Sequence, residues 1–230
     1  MNKKRLVVLT GAGMSAESGI QTFRGAGGLW NGVDVMEVAS PEGWEANPKM
    51  VLEFYNERRK NALDVKPNGG HIVLAELEKD FDVQIITQNV DNLHERAGSA
   101  NVMHLHGELF KMRSTVDESL VYDMDGWELN IGDLCEKGTQ LRPNIVWFGE
   151  SVPLIYDAFK LAETADIFVV IGTSLAVYPA ASIIHYVHQD VPKYIIDPEI
   201  PDVYKVSNLE SIEKGAVEGT LELKRKLLVD

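Results

Sequence analysis

Short continuous apolar runs alternate along this chain with longer amphipathic stretches. Residues 5–10 (RLVVLT) read as a buried strand, and Gly11-Ala-Gly13 ends it abruptly. Similar runs at 83–87, 144–147, 167–171 and 193–196 predict further strands. Helical patterns fall between them at 47–63, 71–79, 154–164 and 180–188, with a last one at 216–228. Pro48 sits in the first turn of the earliest helix with Asn47 placed to cap it, and PNGG at 67–70 breaks it from the next. Strands alternating with helices predict an α/β fold on a mostly parallel sheet with helices on both faces.

Two intervals interrupt that alternation. Residues 19–34 hold five glycines and no stable period, which predicts a long loop of the kind that is functional or disordered. Residues 108–141 are polar, weakly periodic and acidic, with Asp117, Glu118, Asp123, Asp125 and Glu128. They read as a small insert, leaving 1–107 and 142–230 as the main domain.

Composition narrows the function classes. A chain of 230 residues with 45% hydrophobic and 25% charged residues is globular, not disordered. No run approaches the roughly 18 apolar residues a membrane-spanning helix needs, so no membrane partner is expected. Lys3 and Lys4 precede an apolar run, 6–9, too short for a secretory leader. The single cysteine, Cys135, can close no internal disulfide, and a cytoplasmic location follows as the default. Thirty-five acids against 22 bases give a net charge of −13. Such a field repels a phosphate backbone and attracts basic protein segments, so nucleic acid is not expected as a partner.

Gly11-Ala12-Gly13-Met14-Ser15-Ala16 fits a G-x-G-x-x-G/A turn directly after a strand, where free backbone N–H groups can meet a pyrophosphate. This predicts a Rossmann-like nucleotide site. A dehydrogenase of that fold wants a second strand ending in an acid about 20 residues on. Here that region is GAGGLWNG, which weighs against hydride transfer. Three more strand ends are polar: 83–87 runs into Gln88, Asn89 and Asp91; 166–171 into Gly172, Thr173 and Ser174; 194–196 into Asp197. One such end is explained by a helix cap; four on one sheet edge predict a ligand crevice. His104 and His106 share a face if extended, and His185 and His188 are spaced i, i+3. Either pair is a possible metal pair without an evident third ligand, against plain surface or capping roles. His106, before Gly107 at a strand end, suits a general base.

GAGMSAESGIQTFRG, TQNVDNLHERAG, HLHGE, RPNIVWFGE and GTSLAVYPAA occur in that order over residues 11–181. Together they resemble the sirtuin family of NAD-dependent protein-lysine deacylases. The resemblance implies NAD as cofactor and acyl-lysine proteins or peptides as partners, with oligomeric state left open. By the same resemblance, residues of about 25–70 form a helical cofactor-loop segment. Gly11, Ala12, Gly13, Ser15 and Ala16 match the diphosphate loop, and Phe23 and Arg24 the cofactor loop. Gln88, Asn89 and Asp91 match the pocket for nicotinamide and its ribose, and His106 the catalytic base beside Asn89 and Asp91. Gly172, Thr173 and Ser174 match contacts to phosphate and adenine ribose, and Asp197 and Ala216 are expected among the cofactor-binding residues. Val146, Phe148 and Gly149 match the acyl-lysine channel. The implied reaction transfers the acyl group to ADP-ribose with release of nicotinamide. Protein ADP-ribosyl transfer and a non-catalytic NAD or ADP-ribose sensor are the alternatives.

Two departures from the family pattern carry information. Sirtuins commonly hold a structural zinc on two C-x-x-C pairs; here Ser114-Thr-Val-Asp117 and Cys135-Glu-Lys-Gly138 stand there, so no zinc is expected. Thr22 replaces a common aspartate, and Tyr55 and Arg58 lie at i, i+3 on one helix face. In the desuccinylase and demalonylase branch a tyrosine and arginine with this spacing bind the acyl carboxylate, a task for which a guanidinium fork is suited. The competing reading is a solvated helix face, since Glu57, Arg59 and Lys60 are charged too.

Overall fold

The computed structural model describes residues 3–21, 29–30 and 33–229. Strand β1 (Arg5–Thr10) passes into one helical turn, α1 (Gly13–Ala16). A ribbon of β2 (Leu29–Trp30) and β3 (Val33–Asp34) leads to α2 (Val35–Val38), α3 (Pro41–Ala46) and the long α4 (Pro48–Asp64). Helix α5 (Gly69–Leu77), β4 (Asp82–Thr87), α6 (Leu93–Ala97) and β5 (Val102–His104) return the chain to the sheet. Next come β6 (Gly107–Ser114), β7 (Val121–Asp123) and β8 (Leu141–Ile145). Helix α7 (Ile155–Glu163), β9 (Ile167–Ile171), a 3-10 helix (Ala180–Tyr186), β10 (Lys193–Ile196), β11 (Leu209–Ile212) and α8 (Ala216–Val229) complete it.

The main sheet runs β11-β10-β9-β1-β4-β5, every neighbouring pair parallel. Side chains alternate across it, as a strand's period of two requires. Leu6, Val8, Ile85 and Val169 pack under α5 and α8 against Leu74, Leu77 and Leu223. Val7, Leu9, Ile86 and Phe168 face the other way, onto Ala158 and Ala162 of α7 and Ile183 and Ile184 of the 3-10 helix. With both faces covered, the central strands are mostly apolar, which is why they read as continuous runs. The result is the Rossmann-like α/β architecture expected.

Helix α4 starts as its sequence dictates: the Asn47 side chain accepts from the Met50 N–H and Pro48 occupies the first turn. Helix α5 begins two residues earlier than the pattern predicted. Asn68 accepts from Gly70 and His71 N–H while the His71 ring accepts from the Asn68 N–H, a reciprocal cap that recruits both glycines.

Three further expectations need correction. The run at 144–147 is not a strand of the parallel sheet. It overlaps the end of β8, which pairs antiparallel with β6 in a separate sheet ordered β7-β6-β8; its apolarity reflects burial of Ile145 and Trp147 against α4. The pattern at 180–188 forms a 3-10 helix, not an α-helix. The sheet also gains β5 and β11 at its edges. The small sheet has a satellite core of Leu129, Cys135 and Leu141, to which α4 contributes Leu52.

Candidate active site

Because β1, β4, β9 and β10 are parallel neighbours, their polar carboxyl ends share one edge of the sheet. The turns after β1 and β9 interlock there: Gly11 N–H donates to Ile171 O at 3.0 Å and Gly13 N–H to Gly172 O at 2.8 Å. Glycine is required for this approach. A Cβ on Gly13 would fall 2.6 Å from Gly172 Cα, and one on Gly172, whose φ is +63°, 2.3 Å from Met14 N. Ala12 and the exposed Ala16 lie on the same turn and its one helical turn.

The β4 end is tied to this turn by buried polar groups. Asn89 Nδ2 donates to Gly11 O at 3.0 Å and to Ser15 Oγ at 3.2 Å, and Ser15 Oγ donates to Asp91 Oδ2 at 3.0 Å. Burial raises the Asp91 pKa, opposed by the Leu93 N–H and the Ser15 hydroxyl. Beneath them, the Asn89 N–H donates to Thr87 Oγ1, which also accepts from the Thr10 hydroxyl. Having given its proton to Thr87, Thr10 Oγ1 accepts from His94 Nε2 at 3.1 Å. Gln88 Nε2 donates to Thr173 Oγ1 at 3.1 Å and so joins the β4 and β9 ends, with Ser174 half-buried alongside. Asp197, buried at the end of β10, accepts the Glu199 N–H. Ala216 is buried at the start of α8, where Glu17 Oε1 accepts the Val217 N–H and ties that helix to the segment after α1.

The two histidines of HLHGE diverge. His106 Nδ1 lies 3.1 Å from Gln88 O. A carbonyl only accepts, so Nδ1 carries the ring hydrogen and Nε2 keeps a lone pair. Burial holds the His106 pKa below its ordinary value, against the Gln88 carbonyl, so the ring is a neutral base near pH 7. His104 meets acceptors on both sides, Asn89 O at 3.0 Å and Glu95 Oε1 at 2.7 Å. Burial opposes its charge, but Glu95 outweighs burial and the pKa rises. That ring is a structural cation, with no nitrogen left for a metal. His185 and His188 are exposed on the surface.

Tyr55 is fully buried and Arg58 half-buried, so this face of α4 is not the solvated one. Arg59 is buried too, donating to Trp127 O and to Asn56 Oδ1. Burial lowers Arg58 to about 10, opposed by the attraction of Tyr55 and Asp91, so it remains a cation. Burial pushes the Tyr55 phenol up to about 12, opposed by a hydrogen bond from Trp147 and by Arg58. Past the end of β8, Val146 N–H donates to His106 O and the Phe148 N–H to Ala39 O, which sets this segment beside the base. Phe148 and Gly149 are exposed, with Gly149 at φ +89°. Phe23 and Arg24, like Thr22, lie outside the described residues.

Residues of the small sheet do not fit a thiolate zinc site. Cys135 Sγ is engaged by the hydroxyls of Thr139 at 3.1 Å and Ser114 at 3.4 Å, while Asp117 is paired with Lys137 at 2.6 Å. Among the described residues no three His, Cys, Asp or Glu side chains are grouped to hold a metal ion.

The open parallel sheet, its glycine turn and a neutral histidine at the shared strand edge define a nucleotide-binding α/β enzyme class. The Sir2 family model matches residues 11–179, and the chain belongs to that family. An NAD-dependent protein deacylase of Bacteroides thetaiotaomicron is 56% identical, with 98% of each chain covered. One of Helicobacter pylori is 54% identical, again over 98% of both. Among solved structures, a Sir2 homolog in complex with NAD superposes with a TM-score of 0.88 at 39% identity, covering 99% of this chain and 90% of that one. A Sir2 homologue bound to 2′-O-acetyl ADP ribose gives 0.87 at 40% identity, over 99% and 93%.

Sequence reasoning missed Trp147, Arg142, Glu150, Glu95 and the Thr10–Thr87–His94 floor. The one signal for Trp147 was its place between Val146 and Phe148, where strand alternation turns it to the opposite side.

Proposed function

We propose that this chain is an NAD-dependent protein-lysine deacylase that favours succinyl and malonyl groups, retains some acetyl activity and needs no zinc. NAD, when bound, supplies the ADP-ribose that receives the acyl group, with nicotinamide as the leaving group. Gly11, Ala12, Gly13, Ser15 and Ala16 hold its diphosphate, helped by Phe23 and Arg24. Gly172, Thr173, Ser174, Asp197 and Ala216 hold the adenosine side. Gln88, Asn89 and Asp91 bind the nicotinamide and ribose, and their fixed dipoles and charge act where positive charge develops. His106 takes a proton onto Nε2, the nitrogen its Nδ1 contact leaves basic. Val146, Phe148 and Gly149 guide the acyl-lysine, and Tyr55 with Arg58 receives the acyl carboxylate through charge-assisted hydrogen bonds.

The neutral His106 at the shared strand edge is the observation that most favours catalysis over mere nucleotide binding, because a sensor needs no base. The near-full-length similarity to deacylases favours acyl transfer over other uses of NAD. The test is mass spectrometry on one peptide carried as acetyl-lysine and as succinyl-lysine, each with NAD. Faster loss of succinyl, with nicotinamide and O-succinyl-ADP-ribose appearing, is expected. A protein made heavier by ADP-ribose, or bound NAD without any acyl loss, would overturn the proposal.

A further inference from the structure

The acyl pocket has a second residue behind its tyrosine. Trp147 Nε1 donates to the Tyr55 hydroxyl at 3.1 Å, in a contact wholly removed from solvent. An indole N–H can only donate, so Tyr55 is the acceptor and its own proton points elsewhere. Among the described residues no acceptor takes that proton. With the phenol held up at about 12 by burial, it stays protonated through the neutral range.

Trp147 itself cannot turn. Its ring carries the Arg142 guanidinium 3.3 Å from the centroid on one side and Trp44 at 5.8 Å. Arg142 grips Glu150 through both guanidinium nitrogens, at 2.6 and 3.2 Å, and Glu150 accepts the Trp147 backbone N–H at 2.8 Å. Arg113 closes the set on the same carboxylate at 3.2 Å. Arg113, Glu150, Arg142, Trp147 and Tyr55 thus form one continuous chain of contacts from β6 and β8 to α4.

We propose that Trp147 is a specificity-positioning residue: its indole N–H orients the Tyr55 hydroxyl as a donor, so that the pocket selects acyl groups ending in a carboxylate. This rests on the acyl preference proposed above. A carboxylate accepts hydrogen bonds and profits from the oriented donor; an acetyl methyl has nothing to accept it. The indole N–H therefore matters for one acyl class and is nearly silent for the other. Losing one oriented hydrogen bond to a charged group weakens binding by roughly tenfold.

The experiment is steady-state kinetics on succinyl- and acetyl-lysine forms of one peptide at saturating NAD, for wild type, Trp147→Phe, Tyr55→Phe and the double variant. Trp147→Phe keeps a ring under Arg142 and removes the N–H. It should raise the succinyl-peptide KM by roughly tenfold with kcat nearly held. The acetyl peptide should move far less. In the Tyr55→Phe background the second substitution should add nothing, since the indole then has no hydroxyl to orient. Replacing Trp147 with benzothienyl-alanine, which keeps both rings and substitutes sulfur for N–H, should reproduce the effect and covers the case of a poorly folded Phe variant. Equal losses on both peptides, additive effects in the double variant, or an unchanged succinyl KM in both Trp147 variants would overturn the assignment. Wild type and Tyr55→Phe treating the two acyl forms alike would instead overturn the acyl preference, and the role of Trp147 with it.

Discussion

Acidification should weaken this fold through a buried histidine well away from its surface charges. His71 is fully buried, with its ring centroid 4.8 Å from that of His94. Its Nδ1 accepts the Asn68 N–H at 3.3 Å, so a neutral ring carries its hydrogen on Nε2. Burial lowers its pKa from 6.5 to about 4, with only the attraction of Glu95 opposing. In the unfolded chain the ring takes up a proton near 6.5. Between that value and about 4 the unfolded state holds the extra proton, so stability is intact above 6.5 and falls as pH drops through the interval. A separation of about 2.5 units corresponds to about 3 kcal/mol once pH is below both values. Burial depresses His94 as well, in the same direction. His71→Gln removes the titration while its side-chain carbonyl can still accept the Asn68 N–H. Urea denaturation of both proteins at about pH 7 and about pH 4.5 isolates the effect, with wild type expected to lose about 2 kcal/mol more than the variant. Parallel losses in the two proteins would refute the reasoning, because the carboxylates that also titrate are common to both.

The site makes its own predictions. His106→Ala should abolish turnover and leave NAD binding, read by calorimetry, largely intact; full residual activity would remove the base. Since burial holds His106 below its ordinary pKa, kcat/KM should fall on the acid side with its midpoint below 6.5, and a fall centred above 6.5 would contradict a neutral buried base. Arg58→Met removes a cation attracted by Tyr55 and Asp91 and should raise the succinyl-peptide KM by at least about tenfold, more than the acetyl value. Equal losses on both peptides would make Arg58 structural. Treatment with a strong chelator should change neither activity nor melting temperature, because hydroxyls engage Cys135 where a metal would need thiolates; loss of either would restore a structural metal.

The central strands were legible because a parallel sheet covered on both faces leaves them no polar side to show. Its edge strands were not. Strand β5 is three half-buried residues ending in His104, and β11 (LESI) exposes Glu210 and Ser211, so neither makes an apolar run. The 144–147 run failed in the opposite sense: burial against α4 made it look like a sheet strand, and apolarity alone does not say which sheet. The strand-end residues Gln88, Asn89, Asp91 and Thr173 could be read as a crevice, since parallel topology places such ends together. What joins them could not. The indole of Trp147 reaches a hydroxyl 92 positions away, a relation that local spacing does not encode. His104 and His106 look equivalent two residues apart, and become a cation and a base only through what their second nitrogens meet, Glu95 in one case.

The most direct measurement follows nicotinamide and acyl group together during turnover of a succinyl-lysine peptide. One nicotinamide released for each succinyl lost, with the succinyl recovered on ADP-ribose, is the expected result. Succinyl appearing as free succinate without nicotinamide release would contradict NAD-dependent acyl transfer at this site.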